Sequence, residues 1–284
     1  MALEKSPFQS RIFQSLRKLT QSPLLVRILL STYILFLLVL PLSALILVLL
    51  RNNWNDILER AFDPIAIGAY GLTLKMAFLA AFCNTFFGFL ITWVLTRYTF
   101  VGKKYVDAAV DLPFALPTSV AGLTLSTVYG DHGWIGSFFH KYNIQIVFTP
   151  IGVFLAMVFV SFPFVIRTLQ PVFQELELGL EEAAWSLGAT EWQTFSRILF
   201  PTLWPALLTG FTLSFSRALG EFGSIVMISS NLPLKDLVAS VLIYQSLEQY
   251  DYLGASVIGS VVLLIALISL LFLNILQTFM TRTQ

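Results

Sequence analysis

The sequence predicts an all-α membrane protein with six transmembrane helices. Three observations carry that expectation. Hydrophobic residues make up 57% of the chain and charged residues 12%, too little charge to clothe a soluble globule of 284 residues. Six apolar stretches recur along the chain, each long enough to cross about 30 Å of hydrocarbon. Lys and Arg fall unequally on alternate connections, the asymmetry that orients membrane spans.

Residues 1–27 are polar and basic, with Lys5, Arg11, Arg17, Lys18 and, at the membrane edge, Arg27. They read as a cytoplasmic N-terminal segment. The next stretch, 28–50, is too long for a signal-peptide core and lacks a small-residue cleavage site, so an uncleaved first span is expected. Further spans are expected near 72–95, 108–129, 146–169, 202–228 and 252–279, making 28–284 one six-helix domain. With the N-terminus inside, the cytoplasmic side holds eleven cations: Lys5, Arg11, Arg17, Lys18, Arg27, Arg97, Lys103, Lys104, Arg167, Arg197 and Arg282. The opposite side holds four, Arg51, Arg60, Lys141 and Lys235. Both termini are therefore expected in the cytoplasm, and the membrane is expected to be a bacterial plasma (inner) membrane. Lys75, near the start of the second span, is expected to snorkel to the interface.

The third span opens DLPFALPTSVAGL. Pro113 and Pro117 break the helical ladder at membrane depth, which is tolerated only against protein or water, so Pro117, Thr118 and Ser119 are candidates for a translocation path. The fifth span carries Arg217 and Glu221, strong charges that cost about 2.5–3.5 kcal/mol each at a bilayer centre unless paired. Their i, i+4 spacing puts them on one helix face, and Ser224 continues the stripe. Arg217 either lowers the barrier to a passing anion or forms with Glu221 a buried lock between helices. Gly210, Ser214 and Ala218 make a small-residue ridge suited to close packing.

The connection 171–201 has a pattern of its own. Ala183, Ala184 and Leu187 repeat at helical spacing, with Glu181 and Glu182 as docking charges. Gly188 supplies a left-handed helix end, and Thr190 with Gln193 has capping-box spacing for a second short helix from Glu191. Pro201 is expected to break that helix from the next span. Outside the membrane, Trp54 and Trp134 suit an aromatic belt, and 231–251 holds room for a short helix over 234–247.

Other chemistry is excluded. Cys83 is the single cysteine, and His132 and His140 are isolated, so no disulfide or metal site is expected. No G-x-x-x-x-G-K-[ST] occurs: Gly102-Lys103 lacks the glycine five positions earlier. No nucleophile–base pair stands out, so no catalytic, cofactor or metal residue is assigned, and no nucleic-acid partner is expected.

Glu182-Ala183-Ala184, three residues, Gly188, nine residues, Ile198, one residue, Phe200 and Pro201 resemble the EAA loop of permease subunits of ATP-binding-cassette importers; Phe200 replaces the usual leucine. The runs at 111–125 and 214–224 (RALGEFG) are similar to those of the sulfate/thiosulfate importer family, T-type subunit. The resemblance implies a type I importer (MetI-like) fold. It implies that loop 171–201 couples to an ATPase subunit in two copies, which binds the ATP–Mg. It also implies a second related permease, an extracytoplasmic sulfate/thiosulfate-binding protein and transport by alternating access. A permease for another oxyanion such as molybdate, an ion-coupled secondary transporter and, more remotely, a membrane scaffold are the alternatives.

Overall fold

A computed structural model describes residues 23–176 and 178–282, and among these it is helical without strands. The expected N-terminal segment, with Lys5, Arg11, Arg17 and Lys18, lies outside the described residues except for 23–27. The chain divides into two compact units, residues 1–56 and 57–284. The first contributes one membrane-length helix, α1 (Val26–Leu50). Within it Leu35–Val39 form a π turn, closed by the Leu40 N–H donating to the Leu35 carbonyl. Pro41 follows directly. A proline ring collides with the carbonyl four residues back, here that of Leu37, and the wider turn makes room for it.

After α2 (Trp54–Ala61), which spans the boundary, the second unit runs α3 (Pro64–Arg97), α4 (Lys103–Val110), α5 (Leu112–Ala115), α6 (Thr118–Tyr129), α7 (Gly136–His140) and α8 (Pro150–Glu175). It continues with α9 (Leu178–Ser186), α10 (Glu191–Leu219), α11 (Gly223–Ile228), α12 (Ala239–Glu248) and α13 (Tyr252–Arg282). Caps set the starts of the long helices. The Asp63 carboxylate accepts from the Ile65 N–H at 2.7 Å to open α3, and the Thr149 hydroxyl accepts from Ile151 at 3.3 Å to open α8.

At the centre, α3, α8 and α10 pack on one another. Hydrocarbon offers no hydrophobic drive for helices to associate, so close packing and hydrogen bonds must hold them. The inner face of α3 is accordingly small: Ala77, Ala80, Ala81 and Gly88 are buried there. Val165 of α8 fits between two glycines; a Cβ at Gly88 would lie 2.8 Å from its Cγ1, and one at Gly210 would lie 3.2 Å from its Cα. The ridge Gly210, Ser214, Ala218 is buried as its spacing suggests. One polar knot ties the three helices. The Asn84 amide donates to the Val158 carbonyl at 3.0 Å, to Ser161 Oγ at 2.9 Å and to Ser214 Oγ at 3.3 Å.

Among the described residues five helices are long and apolar enough to cross a membrane, namely α1, α3, α8, α10 and α13, in keeping with the expected six-helix membrane fold. Several details are corrected. The third expected span, 108–129, is not continuous but is divided into α4, α5 and α6, with Leu116 extended before Pro117. The fifth, 202–228, begins earlier, at Glu191, and stops at Leu219; α11 resumes after a break. Pro201 does not separate two helices. It lies inside α10, behind a second π turn (Phe195–Leu199) that makes room for its ring as the first does for Pro41. Segment 231–251 is more than a surface connection. Its helix starts at Ala239, and Asp236, Leu237, Val238 and Val241 are buried. The Asp236 carboxylate folds the turn by accepting from the Ser230 N–H and hydroxyl, both at 2.6 Å.

Candidate coupling loop and translocation path

The connection between α8 and α10 is a helix–turn–helix fixed by its own backbone. Gly188 has φ +84°, and the turn closes α9 with two reversed bonds: Ala189 N–H to the Ala184 carbonyl at 3.0 Å, and Gly188 N–H to that of Trp185 at 2.9 Å. On the far side, Thr190 Oγ1 accepts from the Gln193 N–H at 3.3 Å while Gln193 Oε1 accepts from the Thr190 N–H at 2.9 Å. Both features were legible in the sequence, including the start at Glu191.

The two faces of α9 differ. Ala184 is buried, whereas Glu182, Ala183 and Gly188 sit toward the outside and Leu187 is 89% exposed. Ile198 and Pro201 belong to the body of α10. The expectation that Glu181 is a docking charge fails: it is ion-paired with Arg97 at the end of α3 and is mostly covered. Arg97 also lies over the Trp93 ring, 5.4 Å from its centroid. Around that pair sits an aromatic cluster that sequence reasoning misses. Phe195 packs on Phe89, Trp93, Trp192 and Phe200, and Phe173 of α8 packs on Phe89 and Trp93. Its signal is aromatics repeated at near-helical spacing, Phe89 and Trp93 on one stretch and Trp192, Phe195 and Phe200 on another. The cluster holds the helix–turn–helix against the ends of α3 and α8.

The broken helices bring the other candidates together. α6 and α11 touch so closely that a Cβ on Gly122 would meet the Ser224 carbonyl oxygen at 2.4 Å, and one on Gly223 would meet Thr118 Oγ1 at 2.3 Å. Ser126 Oγ donates across the same contact to the Met227 carbonyl at 2.8 Å. Ser224 in turn donates its N–H (2.9 Å) and hydroxyl (2.8 Å) to Glu221 Oε1, and Arg217 Nη1 lies 2.7 Å from Glu221 Oε2. So Thr118, Ser119, Ser224, Glu221 and Arg217 form one continuous set. Pro117 precedes it on the exposed side. The expected i, i+4 pair is real, but α10 ends between its members, so the charges bridge a helix break. Glu221 is 2% exposed, hydrogen-bonded through Oε1 and ion-paired through Oε2, while the Arg217 side chain keeps 30% exposure.

A third cluster was not foreseen. Arg167 of α8 grips Asp111 with Nε and Nη2, both at 2.7 Å, and takes Asp107 with Nη1 at 2.8 Å. Gln170 joins through Asp107 at 3.2 Å. The Arg167 hydrogen bond holds the Asp107 carboxyl below the usual carboxylate range against the opposing effect of burial. This fork pins the α4–α5 junction to α8, and Asp107 and Asp111 at i, i+4 were its only trace in the sequence.

The family of binding-protein-dependent transport system inner membrane components matches residues 84–282, which include the loop and both broken helices. The chain belongs to this family. Among curated permeases it is 74% identical over 232 residues to the probable sulfate transport system permease protein cysT of Chlorella vulgaris, covering 82% of this chain and 87% of that one. The corresponding protein of Marchantia polymorpha is 58% identical over 242 residues (85% and 84% covered), and that of Synechocystis 55% over 250 residues (88% and 87%). In fold, the permease superposes on a chain of a bacterial ABC transporter that imports alginate, with TM-score 0.75 and 20% identity over 93% of this chain and 98% of that one. An amino acid ABC transporter gives TM-score 0.54 at 19% identity, with 82% and 99% covered.

Proposed function

We propose that this permease carries sulfate or thiosulfate across a membrane by alternating access, energised by a separate ATPase subunit that binds ATP–Mg. The observation that carries the reading is the mechanical continuity from α9 to the helix break. α9 presents Glu182 and Ala183 outward, with Leu187 exposed in the turn that follows and the turn fastened at both ends, and α10 then runs from Glu191 to Leu219. A displacement of α9 is therefore delivered to the break at Gly220–Phe222, where Glu221 joins Arg217 to Ser224 and Ser224 lies against α6. In this reading Glu221 is the fixed anchor, and Arg217 offers its exposed end to the passing dianion. Binding of the ATPase, nucleotide or cargo shifts the two conformations only through differential affinity for them.

The partners that go with this function are an ATPase subunit in two copies, one of them docked on loop 171–201, a second related permease and an extracytoplasmic binding protein. The cargo rests on the similarity to sulfate permeases. The excess of Lys and Arg on one side supports an orientation with residues 1–27 and both termini on the ATPase side. The membrane is the bacterial plasma membrane or its plastid counterpart, since the similar permeases come from an alga and a liverwort as well as a cyanobacterium. ATP-dependent uptake of labelled sulfate by vesicles holding the whole complex tests the proposal. Uptake without an ATPase chain refutes it, and competition by molybdate stronger than by unlabelled sulfate reassigns the cargo.

A further inference from the structure

Lys75 stands where three apolar grooves on the surface of the second unit converge. One, of 440 Å³, runs between α3 and α8 past Leu79, Phe82 and Phe154; a second, of 470 Å³, runs between α3, α10 and α13 past Phe78, Phe211 and Phe272. The third, of 290 Å³, leads to Lys235 across Gly68, Gly71 and Leu234. Both lysines are exposed, and among the described residues neither has a carboxylate within ion-pair distance. The nearby Asp236 is buried and already accepts from Ser230 and from the Leu232 N–H. Gly71 leaves the floor of the third groove open, because a Cβ there would meet nothing within 4 Å.

Depth matters as much as charge. Lys75 lies eleven residues into a 34-residue helix, so its Cα is about 16 Å along an axis of about 51 Å. With about 30 Å of hydrocarbon centred on that helix, Lys75 begins just inside the apolar boundary, and its stem carries the ammonium out to headgroup level.

We infer that Lys75 and Lys235 bind the phosphate of an anionic phospholipid whose acyl chains lie in the two long grooves beside α3. A free oxyanion would satisfy the lysines but leave the grooves empty. A zwitterionic lipid would fill the grooves but bring its own cation against two others. An anionic lipid satisfies both features, and it would brace α3 against α8, α10 and α13 from outside.

The test is lipid binding by the full-length chain in nanodiscs, comparing phosphatidylglycerol with phosphatidylcholine by native mass spectrometry. Phosphatidylglycerol is expected to be held preferentially. Its affinity should fall roughly 5-fold in Lys75→Gln and roughly 30-fold in the Lys75→Gln/Lys235→Gln double variant. Lys75→Arg should keep the binding, which separates charge loss from misfolding, and Gly71→Leu should block the groove with both charges in place. Equal retention of the two lipids, or wild-type retention by the double variant, overturns the proposal. So does displacement of phosphatidylglycerol by millimolar sulfate, which would make this an oxyanion site, or by a second permease chain, which would make it a protein contact. None of these readouts depends on transport, so failure here leaves the proposed function untouched.

Discussion

Arg217 Nη1 and Glu221 Oε2 meet at 2.7 Å across the break that ends α10, while the other oxygen of the same carboxylate is held by Ser224. The pair is unequal. Glu221 is buried and braces two elements, whereas Arg217 is partly open. Glu221→Ala removes the acceptor for Ser224 and strands the guanidinium, so a loss of about 3 kcal/mol is expected. Arg217→Ala leaves both Ser224 donors on the carboxylate and should cost less. Thermal unfolding in detergent measures that order. If Arg217→Ala assembles normally and uptake falls, the path reading stands; loss of assembly makes the pair a lock and nothing more.

Gly122 is the least yielding point between α6 and α11, because the atom a Cβ would strike is backbone, the Ser224 carbonyl at 2.4 Å. Gly122→Ala should therefore cost about 1–3 kcal/mol. Gly223→Ala should cost less, since Thr118 Oγ1 at 2.3 Å is a side-chain atom that can rotate away. Equal melting temperatures for the two variants would contradict this account of the contact.

Gly188 is constrained by conformation rather than space: its φ is +84°, and nothing lies within 4 Å of where a Cβ would stand. Gly188→Val should strain the turn by about 1–2 kcal/mol and tilt α9 while leaving the membrane helices intact. The expected phenotype is normal insertion with ATP hydrolysis no longer tied to uptake. Wild-type sulfate uptake in that variant counts against a docking role for the loop.

Asn84 joins three helices through one amide. Bonds of this kind contribute about 0.6 kcal/mol each on average in membranes, so Asn84→Ala is expected to lose roughly 2 kcal/mol. Asn84→Leu should be worse, as the site has no spare volume beside Ser161 and Ser214, both fully buried. Urea or SDS unfolding of the variants gives the comparison.

Asp107 carries a pH signature. Its carboxyl is held low in the folded chain, chiefly by the Arg167 hydrogen bond. A depressed carboxylate contributes stability above its unfolded pKa of about 3.9, and loses it as pH falls through the lower folded value. Asp107→Asn should thus be less stable than wild type by about 1 kcal/mol at neutral pH, the partial exposure of the pair limiting the effect. The gap should narrow on acidification and close once pH falls below the depressed folded value. A difference that grows on acidification would contradict the sign.

Much of the fold is legible in the sequence because lipid imposes simple rules. Length and apolarity find α1, α3, α8, α10 and α13, and short-range stereochemistry finds Gly188 and the Thr190–Gln193 cap. Helix ends are harder. Pro201 looks like a break, yet a π turn absorbs it; Pro113 and Pro117 look like kinks, yet they divide a span. Proline removes a hydrogen bond either way, and tertiary packing decides which response follows. Arg167 with Asp107 and Asp111, and Glu181 with Arg97, are pairings between distant segments. No local pattern fixes such partners, which is why Arg167 reads in the sequence only as a cytoplasmic cation and Glu181 looks like a charge for a partner chain.

The central claim is that work enters this permease through α9. The most direct measurement is cysteine labelling and cross-linking at Leu187→Cys, the most exposed apolar position of the loop at 89%, in a Cys83→Ser background. The account predicts labelling only from the side that holds ATP, and a cross-link to the ATPase subunit that varies with nucleotide. Labelling from the opposite side, or no ATPase cross-link in an actively transporting complex, would contradict it.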